Sequence, residues 1–270
     1  MDKGGEMNNL KIIDIHAHIF PEKVASKAIE GIGQFYGAPM SGNGTVEELL
    51  ESGSKVGIYK YVVHSTATRE GQVQSINNFI AQAQASNPSL IGFGTLHPDM
   101  QDIDSEVDRI ISLGLKGIKL HPDFQGFNLD DDKVLPIYNA VQGRLPIITH
   151  MGDAQRTNSH PSRLVKILDM YPHLTVIAAH LGGYMMWNES LEYLVGRNIY
   201  FDTSSSLFKL PKETAVRIMR KHGVEKVLFG SDYPMWLHEE ELERFNKLGL
   251  TEEERRLILS ENACKLLAME

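Results

Sequence analysis

Apolar positions in this chain fall into short blocks, and several of the blocks end on ligand-type side chains. The first is Ile12-Ile13-Asp14-Ile15-His16-Ala17-His18. Pro146-Ile147-Ile148-Thr149-His150, Thr175-Val176-Ile177-Ala178-Ala179-His180 and Val227-Leu228-Phe229-Gly230-Ser231-Asp232 repeat the form. Blocks this short and this rich in Ile and Val read as strands buried on both faces. The pattern predicts strands at 11–18, 58–64, 90–96, 116–121, 145–150, 174–180, 198–203 and 226–232.

Helical patterns lie between these strands. One starts at Val46 behind Thr45 as N-cap, and 72–86 stops at Asn87-Pro88. Residues 104–113 end at Gly114, and 132–142, 162–171, 189–195 and 212–222 continue the alternation. The last pattern, 251–268, opens with Thr251 and Glu254 in capping-box spacing. Eight strands alternating with helices predict a (β/α)8 TIM barrel, with 10–270 as a single domain behind a disordered lead-in at 1–9. An open doubly wound sheet would carry a Gly-rich phosphate loop, which this chain does not have. Residues 19–44 are a long Gly-containing connection leaving the first strand. They read either as a partial lid, with Phe35 and Tyr36 over a substrate, or as a short surface helix around 22–31.

In a closed parallel barrel the strand C-termini converge on one face, where active sites form. Imidazoles and a carboxylate meeting there suit a divalent metal such as zinc. Alternation of side chains places Asp14, His16 and His18 on one side, so two imidazoles of one strand reach the same ion. Asp14 orients a ligand histidine or serves the barrel floor. Lys119 and His121 point inward together. A lysine buried there needs a carboxylate partner such as Asp14 or a substrate, neutralisation, or conversion to a carbamate that bridges metals.

Charge and composition narrow the partners. The net charge is -8 and no basic stripe is present, which argues against nucleic acid. No apolar run is long enough to span a membrane. The lone Cys264 and the absence of an apolar leader point to a cytoplasmic protein.

Taken together, Asp14-Ile15-His16-Ala17-His18, Gly117-Ile118-Lys119-Leu120-His121-Pro122, Ala179-His180-Leu181-Gly182-Gly183, Phe229-Gly230-Ser231-Asp232-Tyr233-Pro234 and Asn262-Ala263-Cys264-Lys265-Leu266-Leu267 resemble the amidohydrolase superfamily. The resemblance covers essentially the whole chain and is nearest to the amidohydrolase-2 branch, which holds metal-dependent hydrolases and decarboxylases similar to aminocarboxymuconate semialdehyde decarboxylase. It implies that His16, His18, His150, His180 and Asp232 bind metal. It also implies that Asp232 transfers protons, that Lys119 is a ligand if carboxylated, and that His180 in single-metal relatives polarises water or substrate. His121 beside Lys119 departs from the common pattern.

The expected function is hydrolysis of a small amide, ester or lactone by metal-activated water. The alternative is non-oxidative decarboxylation of an aromatic or unsaturated carboxylic acid. A non-catalytic metal-stabilised binding protein is a third reading, disfavoured by the intact ligand set. One or two zinc ions, with manganese as the substitute, and a homodimer are the expected cofactor and assembly. Arg156 reads as a clamp for a substrate carboxylate or as a surface ion pair, and His121 as a pocket residue. His64 and His97 end strands two and three, and either is a candidate for the pocket wall. Trp187 reads as packing, and the run Glu239-Glu240-Glu241 as a solvated helix start. His160, His173, His222 and His238 read as uninvolved.

Overall fold

A computed structural model describes residues 10–269; the expected lead-in at 1–9 lies outside them. The chain runs β1 (Ile12–His18), α1 (Glu22–Tyr36), α2 (Val46–Ser54), β2 (Ile58–His64), α3 (Val73–Ser86), β3 (Leu90–Gly92), β4 (Gly94–Thr95) and α4 (Ile103–Ser112). It continues with β5 (Ile118–Leu120), α5 (Pro122–Gln125), α6 (Leu135–Val141), β6 (Ile147–Thr149), α7 (Pro161–Met170), β7 (Val176–Ala178) and α8 (Trp187–Tyr193). The last elements are β8 (Tyr200–Asp202), α9 (Lys212–His222), β9 (Val227–Leu228), α10 (His238–Asn246), α11 (Glu252–Arg256) and α12 (Asn262–Leu267).

Neighbouring strands pair in parallel, in the orders β1-β2-β3 and β4 to β9. β3 and β4 are two halves of one stave. Between them Phe93 N–H donates to the Val63 carbonyl on one side, and Gly94 N–H donates to Gly117 on the other. The ring closes where Ile15 N–H donates to Phe229 O and Asp232 N–H donates to His16 O. The fold is therefore the (β/α)8 barrel that the alternation predicts.

Ile13, Ile15, Val62, Phe93, Ile148, Ile177 and Leu228 form a buried cluster that plugs the barrel, with Ala263 of α12 beneath it. A second, larger cluster fills the space between staves and helices. Burying each of these large side chains contributes about 1.5–3 kcal/mol. The cavity-lining His16, His18, Lys119, His121, His150, His180 and Asp232 lie near or just past the C-terminal ends of their strands.

β1 departs from strict alternation. Its register against β2 shifts between Asp14 and Ala17. Ile13 and Ile15 join the plug, His16 turns into the site, and Asp14 faces the helical layer, where its Oδ2 lies 3.1 Å from His238 Nε2. Asp14 therefore does not share a side with His16 and His18, because a bulge flips every side chain beyond it. Residues 19–44 also differ from a short 22–31 helix. α1 is a 15-residue helix ended by Gly37 in the left-handed region at φ 63°.

Candidate active site

β1, β5, β6, β7 and β9 each deliver a polar side chain to one narrow cavity of about 30 Å³. His16, His18, Lys119, His121, His150, His180 and Asp232 line it together with Ile32, Tyr36 and Met40 from α1 and the loop after it. His180 and Asp232 are held there in left-handed backbone, both at φ 61°. Non-glycine residues in that region cost on the order of 1–3 kcal/mol each and cluster at functional sites.

Hydrogen bonds fix the tautomers. His16 Nδ1 is 2.9 Å from the Asp202 carboxylate and donates to it, so Nε2 carries the lone pair. Lys119 Nζ donates to that Nε2 at 2.9 Å. His150 Nε2 donates to the Gly152 carbonyl at 2.7 Å, and His180 Nδ1 donates to the Ser204 carbonyl at 2.9 Å. His150 Nδ1 and His180 Nε2 therefore face each other at 3.0 Å with a lone pair on each. His121 Nδ1 accepts the Phe124 N–H, so its Nε2 donates to the Tyr36 oxygen at 2.9 Å.

Electrostatics agree with these assignments. Burial, reinforced by neighbouring imidazoles and Lys119, holds His121 and His150 well below the usual histidine range. Burial also lowers His180, and it lowers His18 to about 4 against the opposing pull of Asp232. Lys119 is lowered to about 8 by burial, with Asp232 and Asp202 opposing. Burial works to raise Asp232, but His16, His18 and His180 outweigh it and keep the carboxyl well below its ordinary value. Near neutral pH the lowered His18, His121, His150 and His180 are neutral imidazoles beside the ionised Asp232.

This donor set fits a divalent cation. His16 Nε2, His18 Nε2 and Asp232 Oδ1 form a triangle with edges of 3.3, 3.3 and 3.5 Å. Ligands at bond lengths of about 2.0–2.1 Å around a tetrahedral ion lie about 3.3–3.4 Å apart. The opposed lone pairs of His150 and His180 make a second demand for positive charge in the same cavity.

Other sequence expectations are corrected. Lys119 meets His16, not Asp14. Arg156 stays out of the cavity: it pairs with Asp153 at 3.0 Å and lies over the Phe35 ring at 3.8 Å. The i,i+3 spacing of Asp153 and Arg156 makes the ion-pair reading the observed one. Trp187 packs against the core as expected, and its Nε1–H also donates to the His180 carbonyl, holding the backbone of a site residue. Glu241 is buried against Arg244, so the acidic run is not wholly a solvated helix start, while His238 stays out of the cavity and bonds Ser52 and Asp14.

Three features were not anticipated. Asp202, at the end of β8, accepts from His16, from His180 N–H and from Ser204. Its position at a strand end is the same signal that marks Asp232. Ser205 Oγ donates to Asp232 Oδ2 at 2.5 Å. A second cavity of about 160 Å³, lined by Ala38, Pro39, Met40, Ser41, Tyr184, Phe208, Met235 and Trp236, adjoins the first and shares Met40 and Met235 with it.

A family model described as Amidohydrolase matches residues 13–269. No protein of curated function matches the chain by sequence. Among solved structures, the chain is similar to 5-carboxyvanillate decarboxylase LigW from Sphingomonas paucimobilis, at 17% identity and a TM-score of 0.74, over 97% of this chain and 100% of the other. It is also similar to dihydroxybenzoic acid decarboxylase from a Polaromonas species with bound manganese and 2-nitroresorcinol, at 18% identity and a TM-score of 0.75, over 96% and 97%. A putative 2-pyrone-4,6-dicarboxylic acid hydrolase from Pseudomonas putida matches at 18% identity and a TM-score of 0.70, over 97% and 99%.

Proposed function

The chain belongs to the amidohydrolase family, and we propose that within it the protein is a metal-dependent decarboxylase of a small aromatic or unsaturated carboxylic acid. The observation that carries this reading is the aromatic chamber beside the polar apex. Tyr184 and Phe208 stack at 6.3 Å, and Phe208 lies 5.1 Å from Trp236. At about 160 Å³ the chamber suits a single flat ring, since cavities of about 150 Å³ accept benzene. A ring held there directs its carboxylate to the apex. The similar decarboxylases support the same order of readings, which reverses the one drawn from sequence.

His16, His18 and Asp232 would hold the cation, with His180 and His150 completing the donor set and Lys119 beside them. Manganese or zinc fits these donors. When bound, a divalent cation supplies Lewis acidity, lowering the pKa of a water or hydroxyl held against it. The remaining work belongs to the chain. Asp232, kept ionised and oriented by Ser205, would take up a proton from the substrate's own hydroxyl or from solvent. It then delivers a proton to the carbon that bears the carboxylate. The bond to the carboxylate breaks, its electron pair returns to the substrate, and carbon dioxide leaves. Tyr36 takes the part first given to Arg156. Its oxygen accepts from His121, and its own proton is left to donate to a substrate carboxylate. The aromatic walls exclude water from the reacting carbon.

Hydrolysis uses the same residues and is the second reading, favoured by the similarity to the putative pyrone hydrolase. The test is to load the protein with manganese or zinc and offer hydroxybenzoates and unsaturated carboxylic acids beside lactones and esters. Carbon dioxide release, with loss of one carboxylate in the product mass, is the expected result. Ring-opened or hydrolysed product without carbon dioxide contradicts decarboxylation.

A further inference from the structure

His64 ends β2, directly beside His18 in the β1–β2 register. It is completely buried, and neither ring nitrogen has a hydrogen-bond partner among the described residues. A neutral imidazole brings one donor and one acceptor, and hiding both without partners is unfavourable. The ring stands edge-on to His18 at 4.5 Å and to His16 at 5.0 Å. One nitrogen from each of His16, His18 and His64 can be chosen so that all three lie within 4.8 Å of one another.

From this juxtaposition we infer that His64 is a third imidazole ligand for the cation held by His16 and His18. It makes that position nitrogen-rich and selects zinc or cobalt over manganese. This rests on the metal-binding part of the proposed function and is independent of the substrate. The chemistry follows from ligand preference. Imidazole suits zinc and cobalt, whereas manganese favours carboxylate, carbonyl and water oxygens. With Asp232 as the only carboxylate at the triangle, a His64 nitrogen tips the donor count towards the softer ions. Ligation also resolves the unpartnered ring, since one nitrogen then has a bond of its own.

The experiment compares wild type with His64→Leu and His64→Gln. Zinc and manganese dissociation constants come from competition with a chromophoric chelator, and the cobalt-loaded proteins give visible spectra. Circular dichroism of the metal-free forms selects the variant that folds, with Gln retaining polarity should Leu fail. The expected result is zinc affinity weakened by at least about tenfold with a much smaller change for manganese, together with an altered cobalt spectrum. Zinc affinity equal to wild type and an unchanged cobalt spectrum in a folded variant overturn the inference. Equal weakening of zinc and manganese overturns the selectivity. His16→Ala separates this failure from that of the site as a whole. If His16→Ala abolishes binding while the His64 variants match wild type, the metal centre stands without His64. If wild type binds neither ion, both readings fall.

Discussion

His16 Nδ1 lies 2.9 Å from Asp202 Oδ2, and both side chains are fully buried. The carboxylate holds the ring by its Nδ1 proton and thereby aims the Nε2 lone pair at the His18–Asp232 triangle. Its other oxygen accepts from His180 N–H, so one carboxylate orients two of the proposed ligands. Asp202→Asn is expected to lower metal affinity by about 10–100-fold in a folded protein, as loss of such a supporting carboxylate does elsewhere. Chelator competition measures it, and unchanged affinity would remove Asp202 from the account.

Tyr36 links α1 to the site through His121. Tyr36→Phe removes the hydroxyl while leaving the ring against Phe35 and Tyr184. A fall in kcat/KM of roughly tenfold, about 1.4 kcal/mol, is expected with the thermal midpoint near that of wild type. Steady-state kinetics on the substrate identified by the carbon dioxide screen supply the check. An unchanged kcat/KM would leave Tyr36 as wall packing only.

Acid should destabilise the protein through a histidine remote from the metal-type cavity. His222 donates by Nε2 to the Ile199 carbonyl, accepts by Nδ1 from Gly196 N–H and stacks on Phe201 at 3.8 Å. Both nitrogens are used only in the neutral form. Burial lowers its pKa to about 4, against a smaller opposing pull from the Ile199 carbonyl. The folded value lies below the unfolded one near 6.5. The stabilisation is therefore complete above pH ~6.5 and is lost as the pH falls from there through about 4. Its size is up to about 3 kcal/mol. Thermal midpoints of wild type and His222→Gln should converge as the pH drops from 7 to 4.5, and parallel curves would contradict this.

Behind β1, Ser52 Oγ lies 2.8 Å from His238 Nδ1, and His238 Nε2 lies 3.1 Å from Asp14 Oδ2. Asp14 in turn accepts from Ser231 Oγ and from His16 N–H. This buried chain ties α2 and α10 to the stave that bears His16 and His18. His238→Ala strands Asp14 and Ser52 and is expected to cost about 1–3 kcal/mol in denaturant unfolding. A loss within error of zero would show that the helical layer is anchored elsewhere.

The barrel and its converging strand ends were legible because buried parallel strands announce themselves as apolar runs and because ligand residues sit at their ends. His150 and His180 needed no tertiary information. Asp14 did, since a bulge is a property of two paired strands and alternation along one of them cannot reveal it. Asp202 had a strand-end position, but its bond to His16 joins residues 186 apart in sequence, which no local pattern reveals. The buried Glu241 was hidden in an acidic run whose first members do face solvent. The chamber walls Phe208 and Trp236 come from loops that no local pattern joins, so the feature that favours decarboxylation was invisible in the sequence.

The most direct test of the metal centre is elemental analysis of tag-free protein after reconstitution with zinc or manganese, comparing wild type with His16→Ala. At least about one ion per chain is expected in wild type, with that ion lost in the variant and activity lost alongside it. Wild-type protein that is folded and holds no metal after reconstitution would contradict it.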